Sequence, residues 1–383
     1  MSHPSKIRVA VLYGGRSGEH EVSLMSATNV IQYLDRSRFD VIPIGINKQG
    51  AWFLGDDELP KQLNDSGIVA LPSDSERMLF NPDGIGRNLQ AIQATQLLPQ
   101  LKNSERLFDV IFPVIHGTFC EDGTVQGLLE LAEVPYVGCG VLTSAVGMDK
   151  DISKRLIMNA GMRVPPFVVI KRGHWDLDPQ HFCQLVASQL KYPVFVKPAN
   201  TGSSVGVEKI KNPEQLSEAI HRAFTRDTKV LVEQGINARE IELAVLESLE
   251  YGKDPIVSVV GEVKPNHEFY TYESKYLDPE GAELLIPAPI SPEMQEKARQ
   301  FAKDIFTILD CEGMARVDLF LDKDTNEFYF NEINTIPGFT QISMYPKLMA
   351  ASGVSYQELL THLVMLAVAR FKRKNQLSRE FQS

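Results

Sequence analysis

The stretch IRVAVLYGGRSGEHEVSLMSATNVIQYL, Ile7 to Leu34, decides the fold class. Its first seven residues are an apolar, β-branched run, and Gly14, Gly15 and Gly18 follow. From Glu21 onward, Val22, Met25, Val30, Ile31 and Leu34 recur at helical spacing and can share one broad face. Strand, glycine turn and helix in that order open an α/β unit. A second strand, Val41 to Ile46, and a buried one, Val110 to Ile115, continue the pattern. Residues 54–106 between them are polar and turn-rich, with a weak helical patch at Leu89 to Leu101, and read as an insertion or surface structure.

The chain has 383 residues, 43% hydrophobic and 23% charged, the balance of an ordinary globular protein with two or three domains. Collagen, a disordered tail protein and a disulfide-stapled miniprotein are excluded. The net charge of −10 argues against a nucleic-acid partner, because neutralising phosphates needs clustered Lys and Arg. It leaves room for a local basic pocket. Four scattered cysteines, Cys120, Cys139, Cys183 and Cys311, form no C-x-x-C pair and read as free thiols in a reducing compartment. The N-terminus has no signal-peptide pattern, and stretches such as Leu363 to Ala369 are too short to span a membrane. A cytoplasmic protein without a membrane partner is expected.

A loop, His116 to Gly123, and a helix near Val125 to Glu133 follow the Val110 strand, and a helix from about Lys150 ends at Gly161, with Pro165 and Pro166 beyond. The first domain boundary therefore falls near residue 148. Residues 164–235 read as a β-rich unit with strands at Phe167–Ile170, Val194–Val196, Val205–Val207 and Val230–Glu233. The remainder opens on an alternating strand, Glu240 to Leu246. A helix follows with Ser291 as N-cap, Pro292 at its first position, and Ala298, Phe301, Ala302, Ile305 and Leu309 on its apolar face. The last residues, from an Arg370–Phe371 lead-in onward, read as a frayed tail.

The sharpest chemical signal is a hairpin, MARVDLFL (Met314 to Leu321) and EFYFNEIN (Glu327 to Asn334), joined by Asp322 to Asn326. Residues two apart share a strand face, so Arg316 projects with Asp318, and Glu332 with Asn334. Symmetric pairing about Asp324 sets Asp318 opposite Phe330 and diagonal to Glu332, with Phe328 and Phe330 on the same face. Two carboxylates and a carboxamide suit a hard cation such as Mg²⁺, not zinc. The alternative is a solvated hairpin, which would leave both phenylalanines wet.

A second signal is KPANTGSSVGV, Lys197 to Val207, whose small residues would let backbone N–H groups and Ser203 and Ser204 approach phosphates. It is not a Walker loop, and an ordinary hairpin connection explains it equally well when taken alone. In GGRSGEHEVSL, Glu21 could cap the following helix or hold a substrate ammonium. His116 stands at a strand end, where open α/β sheets place ligands. FYTYESKY, Phe269 to Tyr276, is aromatic enough to be either a lid over a reacting site or part of the core.

Together these motifs resemble the D-alanine–D-alanine ligases of the ATP-grasp superfamily. The likeness runs in order through GGRSGEHEVSL, FPVIHGTFCEDGTVQGLLE, GMDKDISK, KPANTGSSVGV, FYTYESKY, MARVDLF and FNEINTIPGFTQIS, nearly the whole chain. It implies an α/β protein with an N-terminal Rossmann-like parallel sheet domain and two α+β subdomains forming an ATP-grasp fold. The expected boundaries are 1–148, 149–232 and 233–372 with a lid at about 261–283, then a tail at 373–383. It implies ATP-dependent joining of two D-alanines through an acyl phosphate, for peptidoglycan precursor synthesis. Asp318, Glu332 and Asn334 would hold Mg²⁺, with Mn²⁺ as the alternative. Arg316 and the Gly338 backbone would face the tetrahedral oxyanion. Glu21 would hold the first alanine's ammonium, linked through Ser203 to Tyr276, with His116 beside that subsite. Ser343 and Lys275 would lie near the second alanine and the phosphate. Lys150, Lys197, Ser203, Ser204 and Lys275 would face ATP phosphates, and Glu233, Ile236 and Glu240 adenine and ribose. A homodimer built on the N-terminal domain is implied.

Tyr276 argues for an amine nucleophile, because the ligases that use D-lactate often lack it. D-Alanine–D-lactate or D-alanine–D-serine ligation is the near alternative. A non-catalytic ATP-binding protein and a nicotinamide-dependent oxidoreductase are remote ones, since neither accounts for the oxygen trio together with the lid.

Overall fold

The computed structural model describes residues 6–55, 78–80, 107–265 and 282–378. Three sheets follow one another along the chain. The first runs β4-β3-β2-β1-β5, from β1 (Ile7–Gly14), β2 (Phe39–Ile46), β3 (Trp52–Leu54), β4 (Met78–Phe80) and β5 (Val110–Pro113). Strands β1, β2 and β5 are parallel, and β3 and β4 add an antiparallel edge. Val9 to Tyr13 are wholly buried, as a central parallel strand requires when both sheet faces are covered. The expected order of strand, turn and helix is present, with the helix at His20–Tyr33.

The second sheet, β6-β9-β7-β8, is antiparallel and comprises β6 (Phe167–Lys171), β7 (Val194–Pro198), β8 (Glu208–Ile210) and β9 (Lys229–Gln234). Strand β8 begins beyond the expected Val205–Val207. Ser203, Ser204 and Gly206 have φ of 48°, 59° and 76°, a left-handed path that no strand follows, so the loop extends to Val207. The third sheet, β13-β12-β10-β14-β15 with β11 beside β10, comprises β10 (Ala238–Leu246), β11 (Ile256–Val257), β12 (Gly261–Pro265), β13 (Ala282–Leu285), β14 (Met314–Asp322) and β15 (Phe328–Asn334). Strands β12 and β13 pair with each other, so the ends of the expected 261–283 lid are strands of this sheet.

The β14–β15 hairpin differs from its expected register. Asp318 pairs with Glu332, not Phe330, and Leu319 pairs with Phe330, which leaves Asn331 as an extra residue in a bulge. The bulge reverses the parity of β15. Phe328 and Phe330 therefore turn to the apolar face with Val317, Leu319, Leu321 and Ile333, and are 1% and 0% exposed. Glu332 and Asn334 stay on the other face with Arg316 and Asp318. The helix Pro292–Ile308 covers the apolar face through Ala298, Ala302 and Ile305, and the Ser291 hydroxyl accepts from the Met294 amide as expected of an N-cap. Ile157 of the helix Lys150–Asn159 belongs to this same core.

The chain's end closes back on its beginning. The helix Tyr356–Asn375 buries Leu359, Leu360, Leu363 and Val364 in one core with Val9, Val11, Val110 and Phe112. The frayed tail expected from Arg370 onward is thereby corrected: the helix runs on to Asn375 because Arg370 is an internal anchor. Its guanidinium donates to the carbonyls of Gly138 (2.5 Å) and Tyr136 (2.7 Å), lies over the Tyr136 ring and pairs with Glu312 at 3.2 Å. Replacing Arg370 with Met takes its donor from two buried carbonyls, and should lower stability by roughly 2–4 kcal/mol in urea unfolding. A loss within error of zero would show that water replaces those donors.

Candidate active site

The open face of the third sheet carries a row of polar side chains. Glu242 lies opposite Asp318 on β10–β14, and Arg316 opposite Asn334 and Asp318 opposite Glu332 on β14–β15. Farther along the same face, Ala244, Leu246 and Met314 are covered by Tyr345, Leu348 and Met349 of the helix Met344–Ala351. The face thus changes from apolar to charged at Arg316, where that cover ends. Arg316 is held on both sides, by Asp318 through two bonds of 2.7 Å and by Glu242 at 3.1 Å. The Asn334 amide donates to Asp318 at 2.9 Å. The expected trio of Asp318, Glu332 and Asn334 is brought together more directly than diagonal pairing would allow.

Two cavities meet along this row, sharing Glu242 and Glu332 in their walls. The larger, about 820 Å³, lies between the second and third sheets and includes Lys150, Lys197, Ser204, Glu233, Ile236 and Glu240 in its lining. Lys150 is the first residue of its helix. Asp149 caps that helix by accepting from the Asp151 and Ile152 amides, and Lys229 clamps Asp149 at 2.5 Å. The Lys150 ammonium consequently reaches the Thr201 carbonyl at 2.7 Å and Glu332 at 3.5 Å. Lys197 pairs with Glu233 at 2.5 Å. Burial alone would raise the Glu233 carboxyl, but Lys154 and Lys197 outweigh it and hold it below the usual range.

The smaller cavity, about 80 Å³, is lined by Glu19, His116, Glu121, Ser203, Arg316, Gly338 and Ser343 among others. Here the structure corrects one expected residue. Glu21 is on the outer side of the His20–Tyr33 helix, its side chain 60% exposed and paired with Lys48 at 2.7 Å. Glu19, just before the helix, is the buried carboxylate, and the Ser203 hydroxyl donates to it. It fits between two glycines: a Cβ on Gly117 would lie 2.5 Å from Glu19 Oε2, and one on Gly202 2.6 Å. Neighbouring serines divide, Ser203 facing this cavity and Ser204 the larger one. Gly338 packs so closely on Ser343 that a Cβ would lie 2.7 Å from its hydroxyl. Lys275 and Tyr276 lie outside the described residues.

Sequence reading missed Glu19, Glu121, Glu242 and Lys154. Glu19 and Glu121 lie inside quoted motifs, where no spacing distinguishes them from their acidic neighbours, and Lys154 only repeats Lys150 one helical turn on. Glu121 accepts from the Gly117 amide at 2.6 Å. Burial first, and then the adjacent Glu19, push its carboxyl well above the usual range.

His116 is tied into the wall of the smaller cavity. Its Nδ1 faces the Ile336 carbonyl at 3.0 Å, which can only accept, so Nδ1 carries the hydrogen and Nε2 accepts from the Ser26 hydroxyl at 3.0 Å. Ser26 in turn accepts from the Phe339 amide. Burial lowers the His116 pKa to about 4. The unfolded chain, with a His pKa near 6.5, binds the proton first, so stability is lost as pH falls from about 6.5 to about 4. In urea titrations across that window, His116→Gln should flatten the loss by up to roughly 3 kcal/mol. An unchanged slope would place the acid sensitivity elsewhere.

The cation-holding capacity of the row rests on oxygen donors alone. Among the described residues no three His, Cys, Asp or Glu side chains form a metal-binding group. Asp318 and Glu332 become a three-donor set only through the Asn334 carboxamide. That set fits a hard divalent cation shared with phosphate oxygens. Among the described residues no helix is long and apolar enough to cross a membrane.

Comparison with known proteins agrees with this geometry. Residues 8–139 match the family described as D-ala D-ala ligase N-terminus, and residues 156–365 its C-terminus counterpart. A D-alanine--D-alanine ligase A of Bradyrhizobium diazoefficiens is 51% identical over 381 residues, covering 99% of both chains. Its Escherichia coli K12 counterpart is 46% identical, covering 97% of this chain and 98% of the relative. Among solved structures, the VanG D-Ala:D-Ser ligase of Enterococcus faecalis is similar with a TM-score of 0.78 at 35% identity, covering 95% of this chain and 100% of that one. The D-alanine-D-alanine ligase of Coxiella burnetii has a TM-score of 0.76 at 32% identity, covering 97% and 96%. These neighbours carry the ATP-grasp fold expected from the motifs. The chain belongs to the D-alanine–D-alanine ligase family.

Proposed function

We propose that this protein joins two D-alanine molecules at the expense of ATP, passing through a D-alanyl phosphate, to make the dipeptide used in peptidoglycan precursors. The observation that carries the reading is the junction of the two cavities. A small anionic pocket built for an ammonium opens, at Glu332 and Glu242, onto a large cleft with Lys150 and Lys197 at its wall.

In this reading Glu19 holds the ammonium of the first D-alanine, with Ser203 fixing the carboxylate. The Gly117 and Gly202 approach leaves Glu19 no room to turn away. The alanine carboxylate then points toward the junction, where Lys150 and Lys197 draw the terminal phosphate of ATP. A carboxylate oxygen attacks that phosphorus, ADP leaves, and an acyl phosphate remains. The free amine of the second D-alanine attacks the acyl carbon, and inorganic phosphate leaves with its bonding electron pair. Arg316 and the Gly338 backbone face the oxyanion of that step, a role for preorganised charge. Arg316 is already oriented by Asp318 and Glu242, so little reorganisation is needed. Asp318, Glu332 and Asn334 would hold Mg²⁺, or Mn²⁺ in its place, which when bound neutralises phosphate oxygens. Ser343 would border the second alanine.

The direct test is phosphate release from ATP and Mg²⁺ with D-alanine alone, L-alanine alone, and D-alanine supplemented with D-serine or D-lactate. Turnover is expected with D-alanine alone, yielding D-alanyl-D-alanine. None with D-alanine, or turnover with L-alanine, would overturn the reading, and a mixed product dominating would reassign the nucleophile. The two glutamates give a sharper contrast. Glu19→Gln should reduce kcat/KM for D-alanine roughly 10- to 100-fold, the scale of one charge-assisted hydrogen bond. Glu21→Gln should stay near wild type. The reverse order would return the ammonium site to Glu21.

A further inference from the structure

A lysine that lines neither cavity joins the two halves of the proposed site. Lys154 is wholly buried, one turn beyond Lys150 on the helix Lys150–Asn159. Its ammonium contacts Glu233 Oε2 at 2.8 Å, the Asn331 carbonyl at 2.8 Å and the Phe330 carbonyl at 3.3 Å. The ammonium donates to the two carbonyls and is neutralised by the Glu233 carboxylate as an ion pair.

The acceptors come from two strands with different tasks. Glu233 belongs to β9 and takes Lys197 on its other oxygen, so it sets where Lys197 stands in the larger cleft. Asn331 is the bulge residue of β15, and Phe330 precedes it. Strand β15 is the edge of its sheet, and the consecutive carbonyls of Phe330 and Asn331 at the bulge have no neighbouring strand on that side, so they need another partner. Lys154 supplies it. The bulge in turn is what places Glu332 opposite Asp318, with the phenylalanines on the apolar face.

We propose that Lys154 is a positioning residue that couples the nucleotide wall to the cation-holding strand, by tying Glu233 and the Asn331 bulge to one buried ammonium. It touches no substrate. The proposal rests on the ligase reading for its consequences, but its deciding measurement, ADP binding, does not need D-alanine. ADP binding to the full-length protein is measured calorimetrically over a range of Mg²⁺ concentrations, for the wild type and Lys154→Met. Loss of a residue that orients ligands from behind should shift the Mg²⁺ needed for half-maximal ADP affinity about 10- to 100-fold upward. The wild-type KM for D-alanine should be retained, because Glu19, His116 and Ser203 make no contact with Lys154.

A merely structural role predicts something different: fewer folded molecules, an unchanged Mg²⁺ requirement per folded molecule, and equal loss of every activity. That result, with thermal melting showing the variant folded, would overturn the proposal. If losing one of its two lysine partners leaves Glu233 too poorly compensated for Lys154→Met to fold, adding Glu233→Gln removes the buried negative charge while still leaving the bulge without its donor. The double variant should keep the raised Mg²⁺ requirement, and a requirement equal to that of Glu233→Gln alone would reject the coupling. Failure of the wild type to turn over D-alanine would overturn the ligase reading and leave the ADP result standing.

Discussion

A bulge of one residue governs what the third sheet can do. Were Asn331 paired in the ladder instead of bulged out of it, the two-residue period of β15 would set Phe328 and Phe330 on the face of Glu332 and Asn334. Either two phenylalanines would then meet the cleft, or two polar side chains would enter the core of Val317, Leu319 and Leu321. Burying a phenylalanine contributes about 1.5–3 kcal/mol, and burying a polar group without a partner costs a comparable amount or more. The extra residue removes that conflict by letting each part of the strand face its own environment. The bulge also converts a diagonal relation between Asp318 and Glu332 into a direct one.

Charge is distributed to match. The chain carries a net −10, yet its cleft is lined by cations and anions in alternation. Glu233 is held between Lys154 and Lys197, and Arg316 between Asp318 and Glu242. Buried charges persist only where partners compensate their lost hydration, so each group here constrains the next. The glutamates of the small cavity are different. Burial first, and then repulsion from Glu19, drive the Glu121 carboxyl toward its neutral form. A pocket with that bias gains from an incoming ammonium.

The cleft itself follows from how the cores are shared. Residues of the first sheet, of β10 and β14, and of the two C-terminal helices form one apolar cluster. The second sheet has a core of its own, with Val168, Ile170, Val194 and Val232. The nucleotide-sized cavity therefore lies between a unit that packs within itself and a body made from both ends of the chain. His116 and Arg370 stitch that body together through carbonyls at Ile336, Tyr136 and Gly138.

Much of this was legible in the residues. The α/β opening at Ile7 to Leu34, the Ser291 cap, and the convergence of Arg316, Asp318, Glu332 and Asn334 all follow from local periodicity and chemistry, which a short window contains. The choice between Glu19 and Glu21 does not. Both flank one turn, and only the start of the helix at His20 sends Glu21 outward to Lys48 and leaves Glu19 facing the Ser203 loop, 184 residues away. The Val205–Val207 strand failed because left-handed backbone at two serines leaves no mark in composition. The bulge at Asn331 was invisible for a related reason: its stabilising partner is a lysine 177 residues earlier. Sequence alone determined most of the elements, the family and the chemical types in the site, since these depend on side-chain identity and near neighbours. Tertiary structure alone decided which carboxylate turns inward and in what register the hairpin closes, because contacts between distant segments select one of several locally equivalent arrangements.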